Sequence, residues 1–249
     1  MINFLNSIED LHESFINAKP FHHVIIDNAF DENLLNDMLE HFPTKDEKKW
    51  WEYNNPLEKK LAYNNINELH ESYLKYFAYV NSKLFTDILE KISGVENLIS
   101  DQELNGGGLH QILQGGKLDV HEDFNLHKVL KSYRKLNAIL YLNKDWKDEY
   151  GGHLEFWNEN MTNCDKKISP IFNRLVLFRT DMHSNHGHPH PLKCPQNNSR
   201  KSLATYYYVE CDDYENIPYT STKYKKLPDV NEDPYIEELR KLREKGRIG

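Results

Sequence analysis

A chain of 249 residues that is 39% hydrophobic, 28% charged and 12% aromatic has a globular composition, which excludes long disorder, collagen-like sequence and a coiled coil. Lys and Arg total 31 against 39 Asp and Glu, a net charge of −8 that disfavours non-specific binding to nucleic acid or acidic lipid. Cys164, Cys194 and Cys211 form no C-x-x-C pair, which argues against a disulfide framework or a thiolate zinc site.

Along the chain, residues 1–104 read as mainly helical with a single strand at Phe21 to Ile26. Asp31 is placed to cap a helix carrying Leu34, Leu35, Met38, Leu39 and Phe42, and Pro43 stops it. Leu69, Tyr73, Tyr76, Phe77, Val80, Leu84, Ile88 and Ile92 recur at steps of three and four, predicting one long amphipathic helix that ends at Gly94. From Gly106 the texture changes to short apolar or alternating runs at 109–114, 117–123, 134–142, 152–157, 173–179 and 200–210, so 105–212 is predicted to be an all-β core. Its glycine groups at 106–108, 115–116 and 151–152 are not followed by helices and read as turns rather than phosphate cradles. The tail, 213–249, holds a basic stretch from Lys223 to Lys226 and a short helix with Ile236, Leu239 and Leu242 on one stripe, read as a solvated docking helix rather than a nucleic-acid element, with closure over the barrel as a lid or docking on a partner as its alternatives. No Pro/Gly-rich linker divides these parts, so 1–249 is expected to form a single domain. The amino-terminal residues lack a signal-peptide pattern and no segment reads as a membrane span, so the expectation is a cytoplasmic protein with no nucleic-acid or membrane partner, as monomer or dimer.

His121-Glu122-Asp123 closes the run from Lys117 to Val120, and strand alternation turns His121 and Asp123 to one side and Glu122 to the other. An imidazole nitrogen and a carboxylate oxygen suit a borderline divalent metal that takes a third ligand from elsewhere. H-x-D recurs by chance in a chain with 13 histidines, so the motif needs support. Support comes from the cluster His183, His186, His188 and His190, which follows the apolar run Leu175 to Phe178. Further on, Arg200 and Lys201 open a strand rich in β-branched and aromatic residues, and if one of them faces inward it needs an anionic partner. Asn137, Ile139 and Tyr141 share one face of the 134–142 strand.

The order of these motifs resembles the prolyl-hydroxylase-like branch of the 2-oxoglutarate- and Fe(II)-dependent dioxygenases. The residues that carry the resemblance are His121-x-Asp123, Tyr141 to Trp146, Gly151-Gly152-His153-Leu154-Glu155-Phe156-Trp157, Asn173 to Phe178, His186-Gly187-His188-Pro189 and Arg200-Lys201-Ser202. It covers about 105–210 well and extends to the entry segment Pro20 to Pro43; 44–104 and the tail match loosely. The resemblance implies an α+β protein whose core is a double-stranded β-helix, a jelly-roll, cupin-like barrel, with flanking N-terminal helices. It implies that His121, Asp123 and His186 hold Fe(II), with His183 and His188 as alternatives to His186, and that Tyr141 and Arg200 bind the far carboxylate of 2-oxoglutarate, with Lys201 as the alternative cation. Asn137 is expected either to contact the cosubstrate or to satisfy a neighbouring strand. The implied reaction consumes O2 and 2-oxoglutarate, releases succinate and CO2, and hydroxylates an aliphatic carbon of a small molecule, such as an amino acid, or of a prolyl residue in a peptide. Retention of Asp123, a position the halogenating relatives give to a small residue, favours hydroxylation. The segment Phe124 to Arg134 would lie at the mouth as a substrate loop.

Two rival readings share part of this pattern. A non-catalytic, cupin-like metal-binding module would use the same ligands but has no need of an inward cation at Arg200. A metal-dependent hydrolase would need a general base beside the metal, and Glu122 is turned away from it.

Overall fold

The computed structural model describes residues 2–47, 50–181, 183–228 and 230–245. Fourteen strands form one hydrogen-bonded antiparallel sheet that curls on itself, with helices packed on one side. Its central path runs His23–Asp27, Arg174–Arg179, Ser132–Tyr141, Arg200–Glu210, Gly108–Ile112, Glu58–Tyr63, Lys117–Glu122, His186–His188, Leu154–Trp157 and Cys164–Ile168. The expected core runs all appear, displaced by two residues or fewer at most ends.

Alternation along these strands separates two interiors. Leu136, Ala138 and Leu140, with Leu175, Leu177, Leu203 and Tyr207, pack outward against Phe30, Leu35, Met38, Tyr76, Phe77, Phe85 and Leu89 of the helical layer. Tyr141, Val176 and Phe178 turn inward and pack with Phe21, Leu154, Phe156 and Ile168. Burying both faces fixes the register, because a slip of one residue would exchange the core-facing set for the cavity-facing set.

Two expectations about the flanks are corrected. Among the described residues of 1–104 there are four strands rather than one, since Trp51–Asn54, Glu58–Tyr63 and Ile99–Ser100 accompany His23–Asp27. The long helix expected from Leu69 to Ile92 is two, Glu71–Val80 and Lys83–Ser93. Ser82 interrupts it: its backbone is extended and its hydroxyl accepts from the Phe85 amide, so it caps a new helix while the apolar stripe continues across the break. Gly94, in the left-handed conformation, ends the second helix as expected, and Asp31 caps Glu32–Glu40 through the Leu34 amide.

The tail docks on this chain's own barrel. Lys223–Tyr224 pairs with Glu122 and His121, adding a strand beside the first metal-ligand motif. Helix Pro234–Glu244 then lays Leu239 against Leu57 and Tyr224, with Ile236 and Leu118 at the edge. Among the described residues, no helix is long and apolar enough to cross a membrane.

Candidate active site

The sheet encloses a cavity of about 240 Å³, lined among others by His121, Asp123, Arg134, Asn137, His186, His188 and Arg200. His121 and His186 face each other directly across two antiparallel strands, with ring centroids 4.4 Å apart. Gly187, between His186 and His188, permits this approach, because a Cβ there would lie 2.8 Å from the carbonyl oxygens of Leu118 and Asp119. Asp123, just past the end of its strand, completes the group: its Oδ1 lies 3.7 Å from His121 Nε2 and its Oδ2 3.5 Å from His186 Nε2.

The hydrogen bonds of the two imidazoles define what this triad can hold. His121 Nδ1 donates to the Asp119 carbonyl (2.8 Å) and His186 Nδ1 to the Ser184 carbonyl (2.7 Å), which assigns the proton to Nδ1 and leaves each Nε2 lone pair directed at Asp123. Burial pushes His121 down to about 3, with His186 adding to the effect, and burial also lowers His186, so both rings are neutral at neutral pH. Burial works to raise Asp123, but Arg134, the two imidazoles and Asn137 outweigh it and hold the carboxyl well below its usual range. Two neutral imidazole lone pairs and a carboxylate thus converge with no proton to share, an arrangement that fits a divalent cation, and two nitrogens with one oxygen are a donor set suited to Fe(II).

Asp123 is itself held from behind. Asn137 Nδ2 donates to Asp123 Oδ2 (2.8 Å), Arg134 Nη2 lies 3.1 Å from the same oxygen, and Arg134 donates through Nε and Nη2 to Asn137 Oδ1 (3.0 and 2.7 Å). The Arg134 guanidinium is buried between the rings of Phe124 and Tyr206, 4.5 and 3.5 Å from their centroids. Asn137 therefore lines the cavity, but its side chain reaches Asp123 and Arg134 rather than a strand neighbour.

Deeper in the cavity Arg200 is 4% exposed, donating from Nε to the Gly152 carbonyl (2.8 Å) and from Nη2 to the Tyr141 hydroxyl (3.1 Å). Gly152 has a positive φ, and a Cβ there would press on Leu192 and on Arg200 Cδ, so the glycine makes room for the guanidinium. Among the described residues Arg200 meets no carboxylate, and burial lowers its pKa against the opposing influence of Tyr141. Lys201 faces the other way, its ammonium 5.5 Å from the Phe42 ring. Beside Arg200, His188 is buried with neither ring nitrogen hydrogen-bonded among the described residues, and burial followed by the Arg200 charge holds it neutral.

Of the alternatives, His183 is exposed and pairs with Glu122 and Glu159, and His190 lies at the surface near Glu155. Glu122 is turned out, 3.1 Å from Lys225. Of the expected substrate loop, Phe124 and Arg134 reach the cavity, whereas Val129 at its tip is exposed. Sequence reasoning missed Tyr206, Lys60, Tyr224 and Arg243 as cavity residues, and it had Arg134 only as the end of the mouth loop and His188 only as an alternative ligand. The signal for His188 is its alternation with His186. A second group of three donors, Asp37, His41 and His70, lies on the helical layer, with the two Nδ1 atoms 3.3 and 3.5 Å from the Asp37 carboxylate and the imidazoles stacked with centroids 3.7 Å apart.

A curled double-stranded β-helix carrying a buried His-Asp-His group and an inward arginine is the architecture of an oxygenase barrel. Residues 107–208 match the model of the 2OG-Fe(II) oxygenase superfamily, whose members use Fe(II), 2-oxoglutarate and O2. Similar folds include a prolyl hydroxylase of Trichoplax adhaerens in complex with a hypoxia inducible factor oxygen degradation domain peptide (19% identity, 82% of this chain and 91% of that one, TM-score 0.60). They also include a Pseudomonas putida prolyl-4-hydroxylase (15% identity, 81% and 100%, TM-score 0.59) and HygX of Streptomyces hygroscopicus with nickel and 2-oxoglutarate bound (10% identity, 85% and 96%, TM-score 0.55).

Proposed function

We propose that this enzyme hydroxylates an aliphatic carbon of a small metabolite or of a prolyl residue, with His121, Asp123 and His186 holding Fe(II) and with Arg200 and Tyr141 binding the far carboxylate of 2-oxoglutarate. The observation that carries the reading is the buried Arg200, which has no carboxylate partner among the described residues and shares one cavity with the triad. A buried guanidinium without an anion is unfavourable, and a bidentate carboxylate relieves it. A metal-binding module without a keto acid has no use for such a cation, so the same observation argues against the cupin-like alternative.

When bound, the iron couples oxidative decarboxylation of 2-oxoglutarate to oxidation of the substrate C–H bond, leaving succinate and CO2. The protein's own part is binding and orientation. Arg134 and Asn137 both engage Asp123 Oδ2, fixing the plane of the carboxylate and leaving Oδ1 on the His121 side. The backbone carbonyls of Asp119 and Ser184 hold the imidazoles in the tautomer that offers Nε2. Tyr141 orients the Arg200 fork, and Ile139 and Leu154 supply apolar wall between the two ends of the cavity. Thr222, Tyr224 and Arg243 of the tail cover the mouth and restrict water.

The test is anaerobic titration of the Fe(II)-loaded protein with 2-oxoglutarate, following the visible charge-transfer band of a ferrous keto-acid complex. A saturable band is expected. Iron uptake without any band would favour the redox-silent module.

A further inference from the structure

The outer half of the cavity carries charges that neither the metal group nor the 2-oxoglutarate end uses. Glu58 and Lys60 lie two residues apart on strand Glu58–Tyr63 and turn their side chains into the cavity, and Arg243 reaches the same place from the tail helix. Glu58 is 1% exposed and both of its oxygens are engaged, Oε2 by Lys60 at 3.3 Å and Oε1 by Arg243 Nη2. One buried carboxylate is thus shared by two cations. The Lys60 ammonium has three N–H donors and the Arg243 guanidinium five, and Glu58 can satisfy only a fraction of them. Tyr53 and Tyr224 flank the group, with Lys60 4.8 Å from the Tyr53 ring and Arg243 5.6 Å from the Tyr224 ring. Tyr224 stands 5.5 Å from His121, so this cluster borders the metal side of the cavity.

The charge balance of the whole cavity has the same sign. Among the described lining residues, Lys60, Arg134, Arg200 and Arg243 are opposed by Glu58 and Asp123 alone, an excess of two positive charges. On the functional reading above, a divalent metal and the dianion of 2-oxoglutarate cancel each other and leave that excess in place. Uncompensated charge in a closed, low-dielectric space is costly, and an anionic occupant removes the cost.

Resting on that reading, we infer that the substrate is a small carboxylic acid, free amino acids included, whose carboxylate is bound by Lys60 and Arg243 at the outer end of the cavity. The limited volume, about 240 Å³ for cosubstrate and substrate together, favours a free acid over a chain threaded through the site. Glu58 is the positioning residue of the cluster: it ties Arg243 of the tail to Lys60 of the barrel, so the cradle is complete only with the tail docked.

The experiment uses the full chain loaded anaerobically with Fe(II) and saturating 2-oxoglutarate. The charge-transfer band is monitored while free amino acids and short mono- and dicarboxylic acids are added, each beside its primary amide, together with a prolyl peptide blocked at both ends. The expected result is that at least one acid perturbs the band and its amide does not. Lys60→Met should then raise the Kd of that acid about 10- to 100-fold, Lys60→Arg should restore most of the loss, and 2-oxoglutarate affinity should stay within about twofold in both variants. Because the acid–amide comparison is made on the wild type, it stands even if Lys60→Met folds poorly. The inference is overturned if no acid perturbs the band, if an amide or the blocked peptide does so as well as the acid, or if a folded Lys60→Met binds the acid as tightly as wild type. A wild type that takes up iron but shows no band with 2-oxoglutarate overturns the underlying reading first, before any substrate is added, and this inference with it.

Discussion

Replacing Arg200 by Met should change stability and ligand binding in opposite directions. The guanidinium makes two hydrogen bonds, to the Gly152 carbonyl and the Tyr141 hydroxyl, and meets no carboxylate among the described residues. Losing those bonds costs about 1 kcal/mol each, whereas removing an uncompensated buried charge returns a desolvation penalty of several kcal/mol. The ligand-free variant should therefore unfold at the wild-type temperature or above it, since Met fills a similar volume. With 2-oxoglutarate the sign reverses, because its carboxylate would be buried without a partner, a loss of about 3–5 kcal/mol, or roughly a hundred- to several-thousand-fold in affinity. Thermal unfolding with and without 2-oxoglutarate reads both effects, and the anaerobic spectral titration reads the second independently. A ligand-free Arg200→Met destabilised by more than about 2 kcal/mol, or one that binds 2-oxoglutarate like wild type, would refute the assignment of this cation to the cosubstrate.

Asn137→Leu leaves Asp123 short of one hydrogen bond and Arg134 short of two, and Fe(II) or Mn(II) affinity measured by calorimetry should fall about 10- to 100-fold; unchanged affinity would remove its orienting role. Leu239→Ala should weaken tail docking by about 2 kcal/mol, seen as faster amide exchange at Lys225, whose N–H bonds the Val120 carbonyl, with no change in helix Glu71–Val80. Asp181→Asn tests a pH dependence away from the metal group. Burial acts to raise Asp181, but the hydrogen bonds from Arg179 and Lys135, all 2.7 Å, outweigh it, and the net pKa is lowered. A depressed carboxylate contributes stability above its unfolded pKa and loses it as pH falls through the folded value. The variant should thus be about 1–2 kcal/mol less stable at neutral pH and converge on wild type in acid, as urea unfolding at a series of pH values would show; a gap that persists in strong acid would contradict this.

Much of the site was legible from local chemistry. Strand alternation alone put His121 and Asp123 on one face and Glu122 on the other, because the side-chain period of a strand is set by covalent geometry. The same rule placed Asn137, Ile139 and Tyr141 inward and separated Arg200 from Lys201. Apolar periodicity located the helix after Asp31, the 69–92 stripe and the tail helix but not Ile8–Asn17, and a stripe that runs on through Ser82 could not show that a capping hydroxyl divides it.

What tertiary structure decided lies where the period breaks or where distant segments meet. Arg134 pairs with Tyr208 while Leu136 pairs with Tyr207, so Lys135 is an extra, bulged residue. That bulge brings Arg134 to the face of Asn137, which alternation counted along the sequence forbids. The choice of His186 over His183 and His188 required the pairing of His186 with His121 across 65 positions of sequence. The tail offered only a weak amphipathic stripe and a basic stretch. That it lines the cavity, carrying Arg243 to the buried Glu58, depends on a hydrophobic contact among Leu57, Tyr224 and Leu239 that joins remote segments. Local periodicity follows from the backbone and is written in neighbouring residues, whereas contacts between remote segments depend on loop closure and burial summed over the whole chain.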